Sequence, residues 1–131
     1  MFSQSIRPKC GPTIKSMQQY RVPLRIVFYQ DDGRWIAHCL EFDLVGDGDS
    51  TDSALRMLVD AIGTQVEASV KHGNPASLFV PADARLLAMF AAGKEVAAAE
   101  LHMQFEVVEI EKAEFRKYIP EHGGEMAYTH A

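Results

Sequence analysis

Residues 23–58 (PLRIVFYQDDGRWIAHCLEFDLVGDGDSTDSALRML) constrain the fold of this chain more than any other segment. The alternation of side chains in LRIVFY, and again in RWIAHCLEF, is typical of pleated strands. Between these two runs, Asp32-Gly33 is a hairpin turn signal. Leu44 and Val45 then predict a third short strand, so the segment indicates three strands in succession.

A helix is predicted directly after the third strand. Gly48 interrupts the strand. The side-chain oxygens of Asp49 and Ser50 can then accept hydrogen bonds from the free N–H groups of a helix that begins near Thr51. Apolar residues recur along it at steps of three and four, namely Leu55, Leu58, Val59, Ile62, Val66 and Val70. Gly73 suits the backbone geometry of a helix end, so the helix should span about five turns.

The segment behind this helix predicts a shorter helix and a fourth strand. Pro81 can occupy a first helical turn, and the apolar run LLAMF favours a second helix near residues 82–92, which Gly93 ends. In residues 101–107 apolar and polar side chains alternate, which predicts a half-buried strand. Residues 109–118 fit either an extension of that strand or a helical turn.

These elements predict an α+β fold of the order β-β-β-α-(α)-β. A strand that returns after a helix usually lies parallel to an earlier strand through a right-handed crossover. We therefore expect a mixed four-stranded sheet of order 3-2-1-4, with residues 101–107 beside residues 24–29 and the long helix across one face. Because residues 24–29 are apolar on both faces, the second face requires the 82–92 helix, a second subunit or a partner, and we favour a homodimer or larger homo-oligomer.

The composition indicates one soluble domain. With 131 residues, 47% of them hydrophobic, the chain can bury one sizeable core. We assign residues 20–118 to this domain, residues 1–19 to a flexible basic arm and residues 119–131 to a flexible tail. No apolar run approaches the roughly 20 residues that span a bilayer, and no signal-peptide region precedes the domain, so a cytoplasmic location is expected.

Charge is distributed unevenly along the sequence. The first 22 residues hold Arg7, Lys9, Lys15 and Arg21 without an acid, so all 18 acidic residues lie behind them. A domain this acidic repels phosphate backbones and favours a basic partner.

Short motifs in and around the predicted hairpin resemble those of the HicB-like antitoxin family. They are Trp35-Ile36-Ala37-His38-Cys39, Glu41-Phe42-Asp43-Leu44-Val45 and Gly48-Asp49-Ser50, followed by Ala54-Leu55. These motifs are similar to the family's W-V-A-x-C-x-E-L-D, G-D-T and E-A-L patterns, in the same order and without a gap. The resemblance covers residues 22–72 well and the last strand loosely, and it implies a truncated RNase H-like module.

The resemblance further implies a protein-binding module that is not an enzyme and needs no cofactor. By analogy with the family, its partner is a small basic mRNA interferase toxin of the HicA type, whose RNA-binding face the module would cover. The residues predicted to contact this partner are Asp31, Asp32, Trp35, Asp43, Asp47 and Asp49. An orphan oligomeric module of the same fold, with a structural or regulatory role, is the alternative.

The chain departs from the family pattern in two places. Ser53 stands where the family often has Glu, so a reciprocal capping box at the start of the long helix is not predicted. Complete antitoxins of the family usually carry a DNA-binding helix-turn-helix or ribbon-helix-helix segment. No such pattern follows Tyr118, so the resemblance does not extend to DNA binding.

The acids of the third strand allow a second interpretation. RNase H-like nucleases hold two metal ions with carboxylates, and Asp43, Asp47 and Asp49 could serve in this way. Such residues are also common in turns and at helix starts, where carboxylates accept backbone N–H bonds, and we favour this capping role. His38 and Cys39 are neighbours on a strand and point to opposite faces, so they do not predict a catalytic pair.

Overall fold

The structure is a computed structural model that describes residues 19–97 and 103–120. Its elements, in chain order, are β1 (Tyr20–Asp31), β2 (Arg34–Cys39), β3 (Leu44–Gly48), α1 (Thr51–Lys71), a short 3-10 helix (Pro75–Leu78), α2 (Ala84–Ala92), β4 (Lys94–Glu95) and β5 (Val108–Lys117). The arm predicted for residues 1–19 and the tail predicted for residues 119–131 lie outside the described residues, apart from residues 19, 119 and 120.

The predicted α+β class and the mixed sheet are confirmed, whereas the predicted strand count and order are wrong. The sheet has five strands in the order β3-β2-β1-β5-β4. β1 is antiparallel to β2 and parallel to β5, and the two-residue β4 adds an antiparallel edge beyond β5. A strand of two residues carries too little alternation to be found in the sequence.

The long strand beside β1 is Val108–Lys117 and not residues 101–107. Of the latter, residues 103–107 are described, and they form no strand. The side chains of Met103, Phe105 and Val107 instead pack against the main core. The alternation of apolar and polar residues indicates which side chains are buried. Side chains can be buried in this pattern without the backbone hydrogen bonds of a strand.

β1 supplies apolar side chains to both faces of the sheet. Leu24, Ile26 and Phe28 belong to the main core, together with the buried stripe of α1. Val27 belongs to a second cluster on the other face, with Leu40, Ala82, Leu86, Met89 and Phe90. The helix predicted near residues 82–92 therefore exists as α2 and covers the second face of β1 from within the same chain. The homo-oligomer stays a prediction.

Two glycines of β3 let α1 lie directly on the strand. A Cβ atom at Gly46 would come within 2.5 Å of the Ala54 carbonyl oxygen and 2.8 Å of Leu58 Cα. At Gly48 it would come within 2.8 Å of the Ala54 backbone nitrogen. A side chain at either position would therefore push the helix away from the sheet.

The start of α1 has a reciprocal capping box, which corrects the expectation that Ser53 rules one out. The backbone N–H of Ser53 donates to the Ser50 hydroxyl at 3.1 Å, and the backbone N–H of Ser50 donates to the Ser53 hydroxyl at 3.1 Å. A serine hydroxyl thus fills the role that a glutamate side chain has in the usual motif. The predicted helix start near Thr51 and the end near residue 72 are confirmed.

α2 is shorter than predicted because Asp83 caps it. The Asp83 carboxylate accepts hydrogen bonds from the backbone N–H groups of Arg85 and Leu86, so Pro81 lies before the helix and not in its first turn. At the other end, Arg116 Nη1 of β5 donates to the Phe90 carbonyl oxygen at 3.0 Å. A cation at the carboxyl end of a helix stabilises its free carbonyl groups. Neither described α-helix is both long and apolar enough to cross a membrane.

Candidate partner-binding surface

The acids at the tip of the β1–β2 hairpin are exposed to solvent. Asp31 pairs with Arg34 across the hairpin, and Asp32 and Gly33 between them have φ values of 54° and 80°. Two consecutive left-handed residues are the signature of a type I′ turn, whose twist matches that of the flanking strands. The turn predicted from Asp32-Gly33 is therefore confirmed, and it presents the carboxylates of Asp31 and Asp32 outward.

Arg34 holds two of the predicted partner-binding acids. Its Nε donates to Asp47 Oδ2 at 2.9 Å, and its Nη1 donates to Asp49 Oδ1 at 2.9 Å. The hydrogen bond and the charge of Asp47 raise the pKa of Arg34 above its ordinary value. Asp47 and Asp49 are thus ion-pair partners of Arg34, which corrects their expected role as helix caps. The cap is Ser50.

Asp43 belongs to a second polar group, centred on His38. His38 Nε2 lies 2.8 Å from Asp43 Oδ1, and His38 Nδ1 lies 3.1 Å from the Tyr29 hydroxyl. One neutral tautomer satisfies both bonds, because Nε2–H can donate to the carboxylate while Nδ1 accepts from the hydroxyl. Asp43 has a φ of 54°, a conformation that aspartate tolerates better than most residues, and this turn points its carboxylate back at the ring.

The register places these groups on one face of the sheet. Residues directly opposite each other in a ladder share a face, and Val27 lies opposite His38, which lies opposite Val45. In the same way, Ile36 lies opposite Asp47. We call this part of the sheet the acidic sheet surface and define it by Arg34, Ile36, His38, Asp43, Val45, Asp47 and Asp49, with the hairpin acids Asp31 and Asp32 at its end.

The acidic sheet surface lies beyond the area that α2 covers. α2 packs on β1 through the second cluster, whereas Val45 on the edge strand β3 is 49% exposed and Ile36 on β2 is half-buried. An exposed valine between charged residues is an arrangement typical of protein contact surfaces, which combine an apolar centre with a polar rim. The sequence prediction missed Arg34, Ile36 and Val45, although the period of two that predicts β2 also puts Arg34, Ile36 and His38 on one face.

Trp35 does not join the other predicted contact residues. It lies opposite Gly48 and Gln30 in the ladders, on the face of α1, and packs against the main core. Lys117 Nζ of β5 lies 5.3 Å from the centre of its ring, a cation–π geometry. The structure thus brings Asp31, Asp32, Asp43, Asp47 and Asp49 to one side and leaves Trp35 on the other.

Glu41, in the second family-like motif, has a structural role. Its carboxylate accepts hydrogen bonds from the backbone N–H of Arg25 at 2.8 Å and from Arg25 Nε at 2.7 Å. The Glu41 side chain is only 12% exposed, whereas the Arg25 side chain is 40% exposed. This contact fixes the turn after β2 against β1. Asp43 lies in the same turn and is thereby positioned to bond His38.

His38 and Cys39 lie on opposite faces of the sheet, as the sequence predicts. Cys39 is fully buried in the main core, on the face opposite His38, and burial raises the pKa of its thiol from 9.0 to about 12. Within residues 19–97 and 103–120, no three His, Cys, Asp or Glu side chains lie close enough together to hold a metal ion. Asp43, Asp47 and Asp49 are engaged by His38 and Arg34 instead.

No protein-family model, curated protein or solved structure matches this chain.

Proposed function

We propose that this chain is a HicB-type protein-binding module without catalytic activity, and that the acidic sheet surface binds a small basic protein, by analogy a HicA-type mRNA interferase toxin. The charge and shape of that surface support the proposal. Five carboxylates surround the exposed Val45 and the half-buried Ile36, and Arg34 is the only arginine or lysine among its members. The RNase H-like assignment of the fold belongs to the same proposal and rests on the family-like motifs.

A basic toxin suits this surface for an electrostatic reason. A toxin that cleaves RNA presents cations to the phosphate backbone, and a carboxylate-rich surface can occupy the same cations. Charge complementarity of this kind accelerates association and weakens as salt is added. The apolar centre at Val45 and Ile36 would supply the part of the contact that excludes water.

The same charges disfavour this surface as the contact of a homo-oligomer. If two copies met along β3, Asp43, Asp47 and Asp49 of each copy would approach those of the other, and like charges placed opposite each other destabilise a sheet. An orphan oligomer would therefore have to use a different surface. The nuclease alternative gains no support here, because a metal ion would have to displace Arg34 from Asp47 and Asp49.

The test uses the basic protein encoded beside the gene for this chain, purified as a catalytically inactive variant, and isothermal titration calorimetry. We expect a stoichiometric complex, and we expect D47N/D49N to raise Kd about tenfold at low salt, since two charges are lost from the contact. The matched control is E109Q/E111Q, which removes two exposed carboxylates that likewise face a single arginine, Arg21, on β1. Its Kd should stay within about twofold of the parent value.

Two results would refute the proposal. The first is the absence of binding, or of protection from toxin-induced arrest of translation, with any basic protein encoded beside the gene. The second is an equal loss of affinity in D47N/D49N and E109Q/E111Q, which would show a general charge effect in place of a defined contact surface.

A further inference from the structure

β3 has an open edge at which a further strand can pair. It is the last strand at its end of the sheet, and among the described residues it pairs only with β2. Successive residues of a strand between two antiparallel neighbours bond to one neighbour and then to the other. Leu40 N–H donates to the Arg25 carbonyl oxygen on β1. Ala37, three residues earlier, therefore directs its backbone groups at β3, where Gly46 lies opposite it.

Val45 and Asp47, on either side of Gly46, direct their backbone groups away from β2 and toward the open edge. Their N–H and carbonyl groups bond no other residue of the part of the chain that the structure describes. The side chains of both residues belong to the acidic sheet surface, next to Asp43 and Asp49 in the sequence. A strand added at this edge would therefore meet backbone groups and carboxylates together.

β3 lacks the features by which proteins usually protect a strand edge. These are lysine or proline on the edge, a β-bulge, or a very short strand. At the other end of the sheet, β4 has only two residues, one of them Lys94, and β5 has Glu111 as an extra residue against β1. β3 has five residues without a lysine or proline, and its register does not shift. Its one charge, on Asp47, favours a cationic strand over a second acidic copy.

α1 offers an apolar contact on the other face of the same edge. The backbone of Ala54 and Leu58 lies against Gly46. On one flank of this contact, Leu55 is buried in the main core. Met57 lies on the other flank of the helix, toward the open edge, and is 52% exposed. A side chain opposite Gly46 in an added strand would therefore pack against Met57.

We propose that β3 binds an extended segment of the basic partner as an additional strand of the sheet. This segment carries lysine or arginine on the face of Asp47 and apolar side chains at the alternate positions, which face Met57. In such pairing the backbone hydrogen bonds, here to Val45 and Asp47, supply affinity, and the alternate side chains supply specificity. The inference rests on the function proposed above, since it names the element that holds the basic partner.

Amide hydrogen exchange of the full chain, followed by NMR, tests this pairing. In the free protein we expect the amides of Val45 and Asp47 to exchange faster than that of Gly46, which faces β2. When the inactive basic protein of the calorimetric test is added, both edge amides should exchange at least about tenfold more slowly.

A proline at the edge tests the same hydrogen bonds by affinity. Val45→Pro removes a donor that points away from β2, a position where sheets tolerate proline. We expect it to raise Kd for the basic protein about tenfold, whereas Val45→Ala, which keeps the N–H, should raise it less than about threefold. Slow exchange of the Gly46 amide in both variants would show that the β2–β3 ladder is intact.

Four outcomes would overturn the proposal. A complex in which the Val45 and Asp47 amides exchange as in the free protein would refute the strand pairing and leave the function proposed for the acidic sheet surface standing. Equal Kd values for Val45→Pro and Val45→Ala would show that the edge N–H is not used. Protection of these amides that grows with the concentration of the free protein would assign the edge to a second copy. The absence of any complex would refute both proposals.

Discussion

Ser53 accepts a hydrogen bond from the backbone N–H of Ser50 at the same 3.1 Å at which the Ser50 hydroxyl accepts one from the backbone N–H of Ser53. The two serines therefore satisfy each other's backbone groups at the start of α1. Gly48 makes room for this contact, because a Cβ atom at that position would collide with the Ser53 hydroxyl. The sequence Gly48-Asp49-Ser50 thus ends β3 and caps the helix that packs on it.

Removing either hydroxyl should destabilise the protein. We expect Ser50→Ala to lower the free energy of unfolding by about 1 kcal/mol, and Ser53→Ala by somewhat less, as measured by urea denaturation. Thr64→Ala, at an exposed position in the middle of α1, should cause no loss, since alanine is the better helix former. Equal stability of the Ser50→Ala and Thr64→Ala variants would contradict the capping role.

Gly46 should not tolerate a methyl group. Gly46→Ala places a Cβ atom against the backbone of α1, and we expect a loss of roughly 3 kcal/mol or failure to fold. Gly63→Ala is the matched control, because Gly63 lies in α1 with no atom within 4 Å of the added Cβ, and this variant should gain about 0.5–1 kcal/mol. Thermal unfolding of both variants measures these changes in stability. A Gly46→Ala variant more stable than the parent chain would show that the helix and β3 are not in contact.

The hydroxyl of Tyr29 should stabilise the His38 group. Tyr29→Phe leaves His38 Nδ1 without its partner, and because His38 is only 9% exposed we expect a loss of about 1 kcal/mol in urea unfolding. Tyr20→Phe removes a hydroxyl that has no hydrogen-bond partner among the described residues and should change the stability by less than about 0.5 kcal/mol. A larger loss of stability in Tyr20→Phe than in Tyr29→Phe would contradict the hydrogen bond between Tyr29 and His38.

Burial should make the Cys39 thiol unreactive. In a Cys10→Ser variant, which leaves Cys39 as the only thiol, we expect a thiol reagent at pH 8 to react only after denaturant is added. Rapid labelling of the native protein would contradict the burial of Cys39 in the main core.

The same thiol should make stability depend on alkaline pH. Its folded pKa of about 12 exceeds the ordinary value of 9.0, so between these values the unfolded chain loses a proton that the folded chain keeps. Stability should therefore fall as the pH rises above about 9, by up to about 1.4 kcal/mol per unit from this group. Cys39→Ala lacks the thiol, so its deficit in unfolding free energy relative to the parent chain should shrink over this range. A deficit that does not change with pH would contradict the raised pKa.

Local signals predicted the elements that depend on neighbouring residues. The Asp32-Gly33 turn, the start of α1 at Thr51 and the helix near residues 82–92 each follow from side chains only a few positions apart. The candidate surface was predicted in part, because the acids were found but Arg34 was not. Its role depends on the β2–β3 register, which brings Arg34 to residues 13 and 15 positions away.

The sequence alone determined the hairpin, the capped long helix and the excess of acid in residues 23–58, because turn geometry, capping and periodicity act over a few residues. Only the tertiary structure decided that Val108–Lys117, and not residues 101–107, pairs with β1, and that Trp35 faces α1 while Asp47 faces away from it. Strand pairing joins distant residues, and competing apolar segments can satisfy the same alternation. The packing of the whole core therefore determines which segment pairs with β1.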